Sequence, residues 1–166
     1  MKMSTLNNLL QEQIKDAYSA ETQLLDALPR MRDAADDATL KQAFDDHLQQ
    51  TFDHVSRLKE LCEKMSLSPL GHECKAMHGL IEEGSEVVDD KNSEPAVRDA
   101  ALICAAQKVE HYEMALYGCL AAYARMLSHE TARETFEKTL EEERAADAKL
   151  TEIAELWVNA AAGTDR

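Results

Sequence analysis

Apolar residues recur every three or four positions along four long stretches of the chain, the spacing of one buried face of an α-helix. In the first stretch this face consists of Leu10, Ile14, Ala17, Glu21, Leu24, Leu28 and Met31. In the second it consists of Leu40, Phe44, His47, Thr51, His54, Leu58, Leu61 and Met65. The third face contains Ala100, Ile103, Gln107, Glu110, Met114, Tyr117, Ala121 and Ala124. The fourth contains Ala132, Phe136, Thr139, Glu143, Ala146, Leu150, Ile153 and Trp157. The pattern predicts four long helices.

Short polar segments separate the helices within each pair. The segment DAADDATL follows the first helix, and SHETARE follows the third. Thr39 with Gln42, and Thr131 with Glu134, have the spacing of a capping box, which predicts that they begin the second and fourth helices. Pro29 should bend the first helix near its end, because it removes one backbone hydrogen bond. Each short turn predicts a helical hairpin.

The connection between the second and third helices is long and holds two of the three prolines and three of the five glycines. It also contains apolar-spaced residues from Met77 to Val88, which predict a short helix inside the connection. Ser93, followed by Pro95, should open the third long helix. A connection of this length suits a crossover between parallel helices. We therefore predict an all-α single domain over 1–166, with the two-hairpin topology of a ferritin-like four-helix bundle.

Charge and hydropathy limit the kinds of partner that the protein is expected to bind. The formal net charge of −14 argues against binding to nucleic-acid phosphates or to anionic membranes. No window approaches the roughly 18 apolar residues of a membrane span, and the N-terminal segment lacks an apolar run of signal-peptide length. We expect a cytoplasmic protein that binds neither membranes nor nucleic acid.

Four cysteines are present, at positions 62, 74, 104 and 119, without a C-x-x-C pair. This spacing argues against a structural zinc site or a thioredoxin-like dithiol. All four lie in or beside apolar helical stretches, so we expect buried, reduced thiols, with a redox role as the alternative.

Polar side chains interrupt the apolar faces of the first two helices. If their turn is centred near residue 35, Glu21 lies level with about residue 49, between His47 and His54. Gln50 and Thr51 lie at the same depth. The spacing does not decide which of these four side chains of the second helix faces Glu21.

The second hairpin carries carboxylates at the same depth. With its turn centred near residue 129, Glu110 and Glu113 lie level with about residues 148 and 145, opposite Glu143 and Asp147. Facing buried carboxylates repel one another unless a cation compensates them, and a pair of divalent metal ions would do so. Carboxylates with imidazoles suit iron or manganese, and less readily zinc. The candidate metal ligands are Glu21, His47, His54, Glu110, Glu113, Glu143 and Asp147.

Segments throughout the chain resemble the YciE/YciF stress-protein family of the ferritin-like superfamily. They are DAYSAETQLLDALPRM, HLQQTFDHVSRL, ECKAMHGLIEEGSEVV, VRDAALICAAQKVEHYE and TLEEERAADAKLTEIA. The resemblance implies a rubrerythrin-like bundle that forms homodimers and holds a dinuclear iron or manganese centre.

The superfamily pattern has a glutamate on helix 1, E-x-x-H on helix 2, a glutamate on helix 3 and E-x-x-H on helix 4. Its single glutamates are matched by Glu21, Glu110 and Glu143. Glu113 matches a second helix-3 glutamate found in rubrerythrins. Thr51 stands where the helix-2 glutamate would precede His54, and Ala146 replaces the helix-4 histidine, with Asp147 as the nearest substitute. The C-x-x-C iron domain that supplies electrons in rubrerythrins has no counterpart in the sequence.

Three functions are compatible with these residues. The first is a non-haem dimetal oxidoreductase that acts on peroxide or oxygen during stress. The second is a metal-binding protein without catalysis. The third is a dimeric structural or interaction protein with a degenerate metal site. Whether the protein is an enzyme is not decided by the sequence.

Overall fold

The computed structural model describes residues 4–163. In this range the chain forms four long helices, a shorter helix between the second and third of them, and a last short helix after a π-helical turn. The helices are α1 (Leu6–Ala34), α2 (Ala38–Lys64), α3 (Lys75–Asp89), α4 (Pro95–Met126), α5 (Glu130–Ile153) and α6 (Asn159–Ala162). The predicted all-α ferritin-like bundle, with a short helix in its crossover, is confirmed. Within 4–163 no helix is both long enough and apolar enough to span a bilayer.

The bundle consists of two helical hairpins. α1 packs on α2, α4 packs on α5, and the hairpins meet where α1 contacts α4 and α2 contacts α5. The crossover helix α3 packs on α1 and α4. Its buried residues are Met77, Gly84 and Val88, so the apolar spacing of the crossover is used within the bundle.

Two apolar clusters fill the interior. They lie on either side of a polar layer that includes Glu21, His54, Glu110 and Glu143. The first includes Leu24, Leu28, Phe44, Leu102 and Ile153. The second includes Leu10, Ile14, Leu58, Leu120 and Phe136. Each leucine, isoleucine or phenylalanine buried so completely stabilises the fold by roughly 1.5–3 kcal/mol. These clusters stabilise a bundle whose middle layer is unfavourable to bury.

The beginning of α2 differs from the capping-box prediction. Asp37, not Thr39, is the N-cap, and its Oδ1 accepts hydrogen bonds from the backbone N–H groups of Thr39 and Leu40, at 2.8 and 2.9 Å. The prediction for Thr39 and Gln42 was wrong because Asp37 caps the helix two residues earlier, and the N–H of Lys41 already donates to the Asp37 carbonyl oxygen at 3.0 Å. Asp99 of α4, which is buried, accepts hydrogen bonds from the backbone N–H groups of Asp36 and Asp37, at 2.8 and 2.7 Å.

Two other helix starts also differ from the prediction. α4 ends in a left-handed turn at Ser128, with φ 58°, and the chain returns to helix directly after His129. Thr131 therefore lies inside the first turn of α5 and not before it. At α4 the N-cap is Glu94, whereas the Ser93 hydroxyl donates a hydrogen bond to Asp90. Pro29 lies inside α1, which continues to Ala34.

A π-helical turn over Ala154–Val158 changes the register at the end of α5. One turn after Ile153, a regular α-helix would bury Trp157. The wider turn adds about one residue, which rotates the following side chains by about 100°. Val158 is buried instead, at 3% exposure, and Trp157 is 47% exposed. The prediction that Trp157 lies on the buried face was wrong for this reason.

The cysteines fall into two classes. Cys62 and Cys74 are buried, as expected. Cys104 and Cys119 are exposed, because they lie on the outward side of α4, and the prediction of four buried thiols was wrong for these two.

Candidate metal centre

Six ionisable side chains converge in the polar layer, each at most 6% exposed. They come from all four long helices. They are Glu21 of α1, His47 and His54 of α2, Glu110 and Glu113 of α4, and Glu143 of α5. Spacings of three and seven residues place the α4 pair and the α2 pair on the inward faces of their helices.

The first group of candidate ligands contains His47, Glu110, Glu113 and Glu143. Each offers one donor atom, and these atoms lie within 4.8 Å of one another. His47 Nε2 is 3.3 Å from Glu110 Oε1 and 3.9 Å from Glu143 Oε2. Three carboxylates therefore surround one imidazole nitrogen.

The second group contains Glu21, His54 and Glu143, also within 4.8 Å. His54 Nδ1 lies 3.0 Å from Glu143 Oε1 and 3.3 Å from Glu21 Oε1. Glu143 belongs to both groups, with Oε1 towards His54 and Oε2 towards His47. A carboxylate placed in this way can bridge two ions.

Most inward-facing atoms of the six side chains have no hydrogen-bond partner among the described residues, although several of them lie close together. These buried atoms are Glu21 Oε2, His47 Nε2, His54 Nδ1, Glu110 Oε2, both carboxylate oxygens of Glu113 and both of Glu143. A buried polar atom without a partner costs about 1–3 kcal/mol, and more if the group is charged. So many in one layer indicate a missing partner. The donor set of carboxylate oxygens and imidazole nitrogens fits iron or manganese.

The pKa values of the carboxyl groups are raised, as expected for a buried acidic site without cations. Burial raises the pKa of Glu110 well above its ordinary value, and the nearby Glu143 raises it further. The pKa of Glu113 is also raised well above normal, by burial and then by Glu21 and Glu143. Burial raises the pKa of Glu21, against the opposing effect of His54. Without a positive ion, burial and mutual repulsion favour the protonated forms of these groups.

His54 and Tyr117 respond to the same charges. Burial by itself would lower the pKa of His54, but the carboxylates of Glu143 and Glu21 outweigh burial and raise it to about 10. Burial raises the pKa of Tyr117 well above its ordinary value, and Glu21 and Glu113 add to the shift. The Tyr117 hydroxyl therefore stays protonated and donates a hydrogen bond to Glu21 Oε1.

Residues outside the cluster orient both imidazoles. His54 Nε2 lies 3.0 Å from Glu142 Oε2, and Glu142 is held in turn by Arg57, whose Nη2 is 3.0 Å from Oε1. His47 Nδ1 lies 3.4 Å from Gln50 Oε1. These contacts leave Nδ1 of His54 and Nε2 of His47 facing the carboxylates, an arrangement common around metal-binding histidines.

Sequence reasoning missed Glu142 and Arg57. Glu142 is one of three consecutive glutamates and is out of phase with the apolar face of α5, so it passes for a solvated residue. One signal was available: His54 and Arg57 are three residues apart, and therefore share a face of α2 that one carboxylate from α5 can reach.

The remaining polar residues of the layer lie apart from the two groups. Asp147 is hydrogen-bonded to Gln107 Nε2 at 3.1 Å and lies 3.5 Å from His111 Nε2, so it belongs to neither group. On α2, both histidines face the cluster. The Thr51 hydroxyl instead donates to the carbonyl oxygen of His47, at 3.0 Å. Helix α2 thus contributes two imidazoles and no carboxylate to the cluster.

Comparison with known proteins agrees with this architecture. The family model described as "Domain of unknown function (DUF892)" matches residues 5–163. Protein YciF of Escherichia coli K12 is 45% identical over 157 residues, which are 93% of each chain. The crystal structure of the E. coli stress protein YciF superposes with a TM-score of 0.90 at 44% identity, over 95% of this chain and 99% of that one.

Two further structures are similar. YcfI of Rhodopseudomonas palustris, described as a candidate structural protein, has a TM-score of 0.85 at 37% identity, over 90% of this chain and 95% of its own. A protein from Xanthomonas campestris has a TM-score of 0.72 at 18% identity, over 93% of this chain and 94% of its own, and shares the fold.

Proposed function

Because the chain belongs to the DUF892 family and is similar to the stress protein YciF over nearly its whole length, we propose that it is a stress-response protein that binds two iron or manganese ions. The observation that carries the proposal is the set of buried oxygen and nitrogen atoms without partners, divided into two groups that share Glu143.

Charge balance supports two ions. The two groups contain four carboxylates and two histidines. With the carboxylates ionised and the histidines neutral, two divalent cations neutralise the layer. One ion would be held by His47, Glu110, Glu113 and Glu143, and the other by Glu21, His54 and Glu143. With one divalent ion, two of these carboxylates would have to stay protonated to avoid buried negative charge, whereas two ions neutralise the layer without protons.

The surrounding side chains are arranged to hold such ligands. In the neutral imidazoles that bind metal, Glu142 and Gln50 can accept from the outer nitrogens, which leaves the inner nitrogens free to bind. Burial opposes ionisation of Glu142, but Arg57 and His54 outweigh it and lower the pKa of Glu142, which stays an anionic acceptor. Tyr117 holds one oxygen of Glu21, and the other has no partner among the described residues.

The chemistry we propose is oxidation–reduction of peroxide or oxygen. A bound iron or manganese pair supplies Lewis acidity and one-electron redox steps. The residues of the chain hold the site within the bundle, exclude bulk water from it and keep the hydroxyl proton of Tyr117 close to Glu21 Oε1. We further propose that the protein acts in the cytoplasm, and that it forms a homodimer, as the resemblance implies.

A second function is metal binding without catalysis, in a storage or structural role. It is favoured by α2, where the Thr51 hydroxyl is turned to its own helix and no carboxylate is supplied. The description of the similar YcfI as a candidate structural protein agrees with it. Peroxide turnover by metal-loaded protein separates the two functions.

The first experiment is elemental analysis of protein purified without added metal, followed by reconstitution with iron or manganese. We expect about two equivalents per chain for the wild type, as for other dinuclear sites. Glu143→Gln should bind neither ion tightly, because both groups use this carboxylate. Its apo-protein should still fold, because the substitution relieves repulsion with Glu110 and Glu113 while Glu21 remains 3.3 Å from His54 Nδ1.

The matched control is Asp147→Asn, a carboxylate of the same helix that lies outside both groups. It should keep about two equivalents. Two equivalents in Glu143→Gln, or none in the wild type after reconstitution, would contradict the proposal.

A further inference from the structure

A cavity of about 270 Å³ lies between α2 and α5 and reaches the candidate metal centre. It contacts the cluster through His47 and Glu110. Each of these residues has a buried atom without a hydrogen-bond partner among residues 4–163, namely His47 Nε2 and Glu110 Oε2. Three other cavities in the described part of the chain are lined by no residue of the cluster.

The walls of this cavity are mainly apolar. Their apolar side chains are Ala43, Phe44, Ala145, Ala146 and Leu150. Three of these five are alanines, which leave space that larger residues would fill. The polar lining residues include Gln42, Asp46, Gln50 and Lys149.

Two charged residues of the lining, Asp46 and Lys149, have partners. Asp46 Oδ1 accepts a hydrogen bond from Gln42 Nε2 at 2.8 Å, and Lys149 Nζ pairs with Glu152 at 2.8 Å. Both side chains are exposed, so neither is a buried charge that would bind the head of a ligand. His47 and Glu110 are the lining residues that belong to the candidate metal centre, so a polar head would be bound at their end of the cavity and an apolar body along the walls.

The volume exceeds what dioxygen or hydrogen peroxide requires. At about 30 Å³ per molecule, it corresponds to roughly nine waters of liquid volume. An apolar cavity of about 150 Å³ is large enough for benzene. A channel that served only a two-atom or four-atom substrate would not need such space.

We propose that this cavity is the substrate port of the candidate metal centre and accepts a small organic molecule with an oxygen-donor head, a carboxylate or a hydroperoxide, on an apolar body. The inference rests on the proposed metal-binding function, because the ions would bind the head. It goes beyond that function by assigning an organic substrate class and a route of access.

The test compares the binding of two carboxylates to manganese-loaded protein by calorimetry. Benzoate has an apolar ring and formate has none, while their head groups are alike. The wild type should bind benzoate more tightly than formate. Ala146→Leu should weaken benzoate binding by about tenfold or more, because the leucine fills the space of the ring, and should change formate binding little.

Ala43→Leu closes the same cavity from the opposite wall and should have the same effect. Ala148→Leu is the matched control, since Ala148 is exposed on α5 and does not line the cavity. Metal content is measured on every sample, so a variant that fails to fold or to bind metal is recognised as such.

A second assay separates the two head groups. Cumene hydroperoxide is supplied together with a dithiol, whose two electrons would reduce it to the alcohol and water. Turnover that Ala146→Leu removes identifies a hydroperoxide as the substrate. Benzoate binding without turnover identifies a carboxylate.

Three results distinguish failure of the port from failure of the metal centre. If metal-loaded wild type binds formate but not benzoate, the proposal that the cavity is a substrate port is wrong. If benzoate binds both leucine variants as tightly as the wild type, the port is wrong as well. If the wild type binds no metal, the proposed function fails, and the port fails with it.

Discussion

Glu143 is the residue on which both halves of the candidate centre depend. Its two oxygens face different histidines, His54 on one side and His47 on the other. Glu21 and Glu110 each belong to one group only. A change at Glu143 should therefore affect two ions, whereas a change at Glu21 or Glu110 should affect one.

Glu142 should control the affinity of the ion at His54 without being a ligand. Its carboxylate fixes the His54 ring, which leaves Nδ1 facing Glu21 and Glu143. We expect Glu142→Gln to weaken binding of this ion by about 10- to 100-fold, the usual effect of removing an outer carboxylate partner. The ion at His47 should be unaffected. Calorimetric titration with manganese measures both steps.

The control for this prediction is Glu141→Gln, which removes an exposed neighbour from the same acidic run. It should leave both affinities unchanged. Equal affinities in wild type and Glu142→Gln would show that the contact with His54 does not position the ring.

The apolar periodicity of the sequence was enough to predict most of the residues that meet in the cluster. Six of the seven predicted ligands converge because helix phase and depth are both readable from the sequence. Their role as ligands stays a prediction. Asp147 was not separable from Glu143, since residues one turn apart share a face and only the observed rotation of α5 directs Asp147 towards Gln107.

The π-helical turn after α5 decides which C-terminal residues belong to the core. It places Val158 inside the bundle and leaves Leu156 and Trp157 on the surface, at 57% and 47% exposure. The turn thus brings Val158 into the same apolar cluster as Ile153, although regular α-helical spacing from Ile153 would not bury it.

Substitution by alanine tests this register. Val158→Ala should lower the free energy of unfolding by about 1.5–2.5 kcal/mol, from lost burial and a small cavity. Leu156→Ala removes a larger side chain but should change stability by only about 0.5 kcal/mol, because the leucine is exposed. Urea denaturation measures both values. A larger loss for Leu156→Ala than for Val158→Ala would exclude the π-helical register.

The sequence predicted the long helices and the crossover helix well, but not their ends. Asp37 begins the helix two residues before Thr39, and short-range spacing does not show which of the two side chains acts as the N-cap. The π turn has no local sequence signal, because it depends on the packing of Val158 against the rest of the bundle. Helix existence follows from periodicity, whereas helix ends depend on competing local contacts.

The whole molecule combines two apolar clusters with a buried acidic layer between them. The apolar clusters favour the compact state, and the acidic layer opposes it when no cation is bound. Metal binding should therefore contribute to folding stability as well as to chemistry.

The pH dependence of stability should reverse when metal is removed. In the apo-protein, the pKa values of Glu21, Glu110 and Glu113 are raised above 4.5, and that of His54 is raised from 6.5 to about 10. The folded state therefore binds more protons than the unfolded state. The free energy of unfolding of the apo-protein should therefore fall as pH rises above about 4.5. The contribution of His54 should be fully present below about pH 6.5 and should disappear as the pH rises to about 10.

Metal-loaded protein should behave in the opposite way between about pH 5 and pH 7, because metal ions bind only the deprotonated ligands. Urea denaturation across this range, with chelator or with excess manganese, measures both trends. An apo-protein that becomes more stable from about pH 5 to pH 9 would contradict the predicted protonation of the layer.

Anomalous diffraction from crystals of iron-reconstituted protein would test the claim that two metal ions occupy the polar layer. We predict two anomalous difference peaks, one among His47, Glu110, Glu113 and Glu143, and one among Glu21, His54 and Glu143. Peaks only at other positions, or no peak within the bundle despite reconstitution, would contradict the claim.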